Sequence, residues 1–408
     1  MIRTAFALLF VIAAQETPKK NLPVIDAKEF ASRRATLMEK FADGVVLVDA
    51  GVVQSGEAGI DANTPWFDFF YLTGVQPKDG LLVLFPADKK TFLFADGDAK
   101  ALKAKTGVDQ VLARAKFDEF SKEALVAAKT IYTKVRQNVK DALLKAGVDK
   151  DKLKGAVGPQ LTAMRVLKTD AEITMMKKAA DATNKAHVAA FKAMKPGMNE
   201  KEIQKIIEDT FKAEDCEELS FPSIIGSGKN GTILHYMANK EKIAEGTLVV
   251  CDIGAGYRGY ATDITRTIPS SGKFDDDQKK AYQCVLDAQK AAEEVCKPGA
   301  DFGDLERAAA KVFTDRGLND WSYCGSKDFS VRHGLGHYVG LAVHDSGTYR
   351  EKFAPGMVIT IEPGYYSKEK GWGIRIEDIY VITKDGFERL SQSPREVDEI
   401  EKLMKEKK

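Results

Sequence analysis

Apolar residues fall along this chain in two rhythms. From Ala27 to Lys40 they recur at helical spacing. Four short apolar runs follow, GVVLVDAG, DFFYLTG, GLLVLFP and TFLFAD, split by the turn-prone PKDG and PADKK. Runs of that length between turn residues predict β-strands, and helical and β stretches keep alternating to about Lys150. The helical period then lengthens. Thr169 and Glu172 precede a stripe of Ile173, Met176, Ala180, His187 and Phe191, and Asn199 and Glu202 precede Ile203, Ile206, Ile207 and Phe211. Each pair reads as a capping box that opens a helix. β-runs come next, and the block repeats with helices over residues 278–295 and 302–316. The pattern predicts an α/β (α+β) protein with an N-terminal α/β domain over residues 22–158 and a second, duplicated domain over 159–408. The stretch from Pro159 to Lys168 joins them.

The duplication is visible in offsets. Gly246 and Gly356 each open a strand six residues before an acid, Asp252 and Glu362, and glycine follows each acid two residues later, at 254 and 364. Leu234-His235 precedes the first strand much as Val343-His344 precedes the second, and Lys195-Pro196-Gly197 is echoed by Lys297-Pro298-Gly299. A repeat at this period implies a pseudo-twofold unit in which each half supplies a hairpin with two acids and one preceding histidine.

Those acids carry the chemistry. Asp252, Asp263, Glu362 and Glu377 stand at or near the middle of the apolar runs LVVCDIGAG, YATDITRTI, MVITIEPGYY and WGIRIEDIYVI. A carboxylate inside a buried strand is costly unless a cation meets it. Four of them, with His337 in HGLGHYVGLAVHD, call for two divalent metal ions. Oxygen-rich ligation with one imidazole favours manganese, with cobalt, iron or zinc as alternatives. Two such ions can hold and deprotonate a bridging water, giving a hydroxide able to attack an acyl carbon without serine or cysteine. His235 and His344 stand outside that shell, free to donate hydrogen bonds to a carbonyl oxygen or a scissile nitrogen.

Composition narrows the partners. Hydrophobic content of 44% with 30% charged residues is that of a globular protein, and a net charge of +1 without a basic stripe excludes nucleic acid as the expected partner. The five cysteines, Cys216, Cys251, Cys284, Cys296 and Cys324, include no C-x-x-C pair and make neither a disulfide framework nor a zinc knuckle. Residues 1–15 combine Arg3 with the apolar stretch from Ala5 to Ala14, which is too short to span a bilayer comfortably. They are expected to be a signal peptide, making the protein exported, periplasmic or secreted, with no stable membrane insertion afterwards. The aromatic cluster Trp66, Phe67, Phe69, Phe70 and Tyr71 is expected to pack in a core, and His187 to be a satisfied core histidine.

The motifs SFPSIIGSGKNGTILHY, CDIGAGYRGYATDITRT, HGLGHYVGLAVHD, ITIEPGYY and GIRIED resemble those of the pita-bread metallopeptidases, the family of aminopeptidase P, prolidase and methionine aminopeptidase. WFDFFYLTG and GLLVLFP resemble the creatinase-like N-terminal domain found in aminopeptidase P and prolidase. The resemblance covers most of the chain after the leader. It implies that Asp252, Asp263, His337, Glu362 and Glu377 are the metal ligands, with Asp263 and Glu377 bridging. It also implies that His235 and His344 hold the scissile amide, that His333 positions the proline side, and that Arg375 supports the bridging glutamate. The expected activity is a metal-dependent Xaa-Pro aminopeptidase acting on proline-containing peptides, as a homo-oligomer. The alternatives are an Xaa-Pro dipeptidase (prolidase) and a non-catalytic peptide-binding module; the presence of all five ligands speaks against the latter and against the metal-free creatinase branch.

Overall fold

Strand β1 (Val45–Asp49) is buried at every position, so the sheet around it must be covered on both faces. Its alternate side chains enter different cores. Val46 and Val48 join a large apolar cluster that continues into the second domain, while Val45 and Leu47 join a smaller one with Phe117, Leu125, Val139 and Leu143. A computed structural model describes residues 23–51, 65–318 and 333–406. The expected signal peptide and Cys324 lie outside the described residues.

The N-terminal domain contains α1 (Ala27–Glu39), β1, α2 (Pro65–Thr73), β2 (Leu81–Phe85), β3 (Lys90–Phe94), α3 (Ala99–Thr106), β4 (Gln110–Leu112), α4 (Phe117–Phe120), β5 (Ile131–Lys134), α5 (Gln137–Lys145) and β6 (Leu153–Lys154). Its sheet runs in the order β4-β3-β2-β1-β5-β6. One expectation fails here. DFFYLTG is not a strand but most of α2, which begins at Pro65, a residue suited to a helix's first position. Phe67, Phe69, Tyr71 and Leu72 are all buried, so the segment is apolar around most of its circumference and shows no polar face. Without that face, periodicity cannot separate helix from strand.

The joining stretch is itself mostly helical, as α6 (Val157–Val166). Two helix pairs then frame the second domain: α7 (Asp170–Ala193) with α8 (Glu200–Ala213), and α9 (Asp276–Val295) with α10 (Phe302–Asp315). All four open on capping boxes, at Thr169, Asn199, Asp275 and Asp301. In the first half, β7 (Glu218–Leu219) pairs with β10 (Ala255–Gly256), and β8 (Ile224–Ser227), β9 (Leu248–Ile253) and β11 (Ile264–Pro269) form an antiparallel sheet. In the second, β12 (Val358–Ile361), β15 (Asp378–Ile382) and β16 (Phe387–Arg389) form another, with the hairpin of β13 (Gly364–Ser367) and β14 (Trp372–Arg375) rising from it. The C-terminal helix α11 (Val397–Lys405) closes the chain's described part.

The two halves correspond. β8 runs antiparallel beside β9, and residues 337–339 run antiparallel beside β12 through the Tyr338–Ile359 bridge. They join where the Glu377 amide donates to the Thr265 carbonyl at 3.0 Å. The acids depart from the expected mid-strand placement. Asp252 lies within β9, but Asp263 immediately precedes β11, Glu362 follows β12 and Glu377 immediately precedes β15. At a strand end the ladder no longer dictates side-chain direction, so acids from separate hairpins can turn toward one point.

Candidate metal centre

All nine residues singled out from the sequence line one cleft of about 450 Å³ in the second domain. His337 stands at its centre. Its Nε2 lies 3.4 Å from Asp263 Oδ2, 3.5 Å from Glu362 Oε1 and 3.7 Å from Glu377 Oε1. Its Nδ1 faces the Tyr338 carbonyl at 3.2 Å, an arrangement in which an Nδ1–H donates and Nε2 is turned toward the acids. Ligand atoms of Asp263, His337 and Glu377 all fall within 4.8 Å of one another.

Burial, and then the charge of Glu377, push the carboxyls of Asp263 and Glu362 well above their ordinary range. Burial would lower His337, but the nearby carboxylates of Glu377 and Glu362 outweigh it and lift the imidazole to about 9. Asp252 Oδ1, Asp263 Oδ1 and Glu377 Oε1 are buried without any protein hydrogen-bond donor. Buried carboxylate oxygens are ordinarily paired. Three orphaned carboxylate oxygens in the cleft that His337 also lines fit divalent cations, and Asp252, Asp263, His337, Glu362 and Glu377 are the residues that would hold them.

Arg375 does not pair directly with Glu377. Its Nη2 donates to Asp252 Oδ2 at 2.6 Å, and its Nε reaches the Thr265 hydroxyl at 3.2 Å, which in turn donates to Glu377 Oε2 at 2.7 Å. Its support for the glutamate therefore passes through Thr265. A third arm, Nη1, donates to the Tyr366 hydroxyl at 3.0 Å, and that hydroxyl lies 2.9 Å from His333 Nε2. His333 Nδ1 faces the Gly334 carbonyl at 2.9 Å. Burial, reinforced by the Arg375 charge, lowers His333 to about 3, so the ring is neutral: Nδ1–H donates to Gly334 and Nε2 accepts from Tyr366. Thr265 and Tyr366 are therefore parts of the site that the sequence reading did not assign. Tyr366 lay inside the quoted ITIEPGYY, but a tyrosine in an apolar strand carries no signal of its own.

His235 and His344 occupy the outer wall. Both are exposed and, with Asp252 and Asp263, line an adjoining cavity of about 310 Å³. The His344 ring stands edge-on to His337 with centroids 4.4 Å apart. Two histidines from the two halves thus flank one opening beside the acids. His187, by contrast, is far from this role: it is fully buried on α7, with Nε2 facing the Ile264 carbonyl at 3.0 Å. The four described cysteines are free and buried.

A duplicated helix-pair and hairpin domain with four acids and a histidine converging at its centre defines a metallopeptidase of the pita-bread type. The chain belongs to metallopeptidase family M24, whose sequence profile matches residues 174–384, and residues 30–132 match the aminopeptidase P N-terminal domain. It is 31% identical to the Xaa-Pro aminopeptidase of Escherichia coli over 93% of this chain and 98% of that one. It is 34% identical to the Xaa-Pro dipeptidase of Pyrococcus horikoshii, over 80% of this chain and 91% of the relative. Among solved structures, aminopeptidase PepP of Pseudomonas aeruginosa superposes with a TM-score of 0.83 at 26% identity, covering 93% of this chain and 98% of that one. A zinc-substituted aminopeptidase P from E. coli in complex with product gives 0.80 at 29% identity over 93% and 98%.

Proposed function

We propose that this protein is a two-metal Xaa-Pro aminopeptidase, releasing the residue that precedes proline at a peptide's N-terminus. The observation that carries this reading is the cluster of Asp263, His337 and Glu377, in a cleft whose lining includes three donorless buried carboxylate oxygens together with His235 and His344. Divalent ions held there supply Lewis acidity and an activated water at neutral pH. The chain's own groups do the rest. His344 and His235, on the exposed wall, donate hydrogen bonds to the substrate's carbonyl oxygen and scissile nitrogen. Proline's nitrogen carries no hydrogen, so the enzyme must grip this bond through its carbonyl and the ring rather than through an amide N–H. Neutral His333, held by Gly334 and Tyr366, offers a fixed apolar edge for that ring. Arg375 pairs with Asp252 and braces Glu377 through Thr265.

The dipeptidase reading has support in the Pyrococcus relative, but that likeness spans less of the chain than the aminopeptidase one. Manganese is the metal we assign, on the oxygen-rich donor set. Export, supported by Arg3 and the apolar stretch behind it, and homo-oligomerisation complete the proposal. N-terminal sequencing of the mature protein and sedimentation velocity test those two. The central test is turnover of Xaa-Pro peptides by metal-stripped protein reloaded with single metals. Release of the residue before proline only after reloading is expected. Full activity in stripped protein, or no cleavage with any metal, would overturn the reading.

A further inference from the structure

The seam between the domains holds a compact group of buried charges. Arg165, in the last turn of α6, grips an acid in each domain: Nη1 donates to Asp68 Oδ1 on α2 at 2.7 Å, and Nη2 pairs with Asp345 Oδ1. Lys168 Nζ lies 3.3 Å from the other oxygen of Asp345, and Lys134 on β5 pairs with the other oxygen of Asp68. The side chains of Asp68, Arg165, Lys168 and Asp345 are each 1% exposed. The backbone makes room for them, since a Cβ at Gly340 would overlap the Asp345 carboxylate.

Such a group adds little stability for its complexity, because desolvation of each ion offsets the attraction between them. Its value is geometric. Asp345 directly follows His344, whose imidazole stands on the exposed wall of the cleft with its ring edge-on to that of His337. The Asp345 amide is tied to the Tyr338 carbonyl at 2.8 Å, and its carboxylate is tied to Arg165. The peptide immediately after His344 is therefore clamped to the interdomain helix and, through Arg165, to the N-terminal domain.

We propose that the Asp68–Arg165–Asp345 chain is a positioning device for His344, through which the N-terminal domain sets the geometry of the peptidase site. Among the described residues that domain supplies no side chain to the cleft, so its contribution to turnover is indirect. Lysine at position 165 keeps the charge but cannot span both acids, because a single ammonium replaces the two-armed guanidinium. The inference rests on His344 being a substrate-holding group.

A double-mutant cycle tests it, with kcat, KM and metal content measured for Arg165→Lys, His344→Ala and the double variant. Arg165→Lys is expected to lower kcat by about 10–100-fold, as a misplacement on the order of 1 Å does, with metal content kept and KM changed little. In the His344→Ala background it is expected to cost nothing further. Losses that multiply in the double variant, or a kcat of wild-type size in Arg165→Lys, would overturn the proposal while leaving the peptidase reading intact. If His344→Ala itself turns over like the wild type, the proposal falls together with the substrate-holding role of His344, while the peptidase reading stands. Should Arg165→Lys not fold, Asp68→Asn enters the same cycle with the same expectations, probing the chain from the N-terminal side.

Discussion

Glu377 meets several parts of the site: its Oε2 accepts from Thr265, its Oε1 is donorless, and its charge acts on Asp263, Glu362 and His337. Glu377→Ala is expected to stay folded, bind less metal and lose nearly all activity; metal analysis with circular dichroism checks it. His344→Ala is expected to retain metal while kcat falls about 10²–10³-fold, as for a lost oxyanion donor, whereas His337→Ala loses metal as well. The reverse pattern would mean that the two roles are exchanged. His187 gives a pH prediction away from the cleft. Burial, then the Arg266 charge, lower it from 6.5 to about 3, so the folded protein keeps it neutral. The unfolded chain takes up the proton first, so this contribution is fully present above about pH 6.5 and is lost as pH falls toward 3. Between pH 6.5 and 5 the loss is about 1.6 kcal/mol. In chelated protein, denaturation midpoints should therefore fall more steeply for wild type than for His187→Gln; parallel slopes would refute it.

At the scale of elements, the first turn of α8 holds the segment that carries His235. Buried Glu200 accepts from the Ser227 amide and hydroxyl, Asn230 Nδ2, the Tyr236 hydroxyl and the Glu241 amide, at 2.7–3.1 Å. Five donors on one carboxylate fix residues 227–241 against the helix. Glu200→Ala strands several of them and is expected to cost roughly 3 kcal/mol or more, since each hydrogen bond to a charged group is worth about 1.5–3. A urea midpoint equivalent to less than about 1 kcal/mol of loss would show that water replaces the carboxylate there. Elements were legible from sequence wherever a local rule applied. The capping boxes at Thr169 and Asn199 were read correctly because both partners sit three residues apart. Helix α2 was misread because contacts on most of its sides erased the polar face that marks a surface helix.

For the whole molecule, the large apolar cluster runs from Val46 and Val48 of the N-terminal sheet into α7, α9 and β12 without a break. The two domains therefore pack as neighbours sharing one core. If the site serves an aminopeptidase, the far side of proline must accept a continuing chain. A tripeptide such as Arg-Pro-Pro is then expected to be cleaved with higher kcat/KM than the matching Xaa-Pro dipeptide, as read by mass spectrometry of the products. Efficient hydrolysis of the dipeptide with longer peptides left intact would transfer the assignment to prolidase. By itself the sequence picked out residues that the structure brings to one cleft, because acids in apolar runs are costly unless a cation meets them and the duplicated offsets mark them twice. It also determined the helix pairs and the presence of an α/β domain ahead of them. What only the tertiary structure decided is who meets whom. Arg375 reaches Asp252 across 123 positions, Thr265 carries its support to Glu377 across 112, and Arg165 joins Asp68 to Asp345. None of these has a local spacing rule, since hydrogen bonds between distant strands depend on how the two halves dock. The placement of Asp263, Glu362 and Glu377 at strand ends has the same origin: convergence is a property of the assembled hairpins, and no single run of sequence contains it.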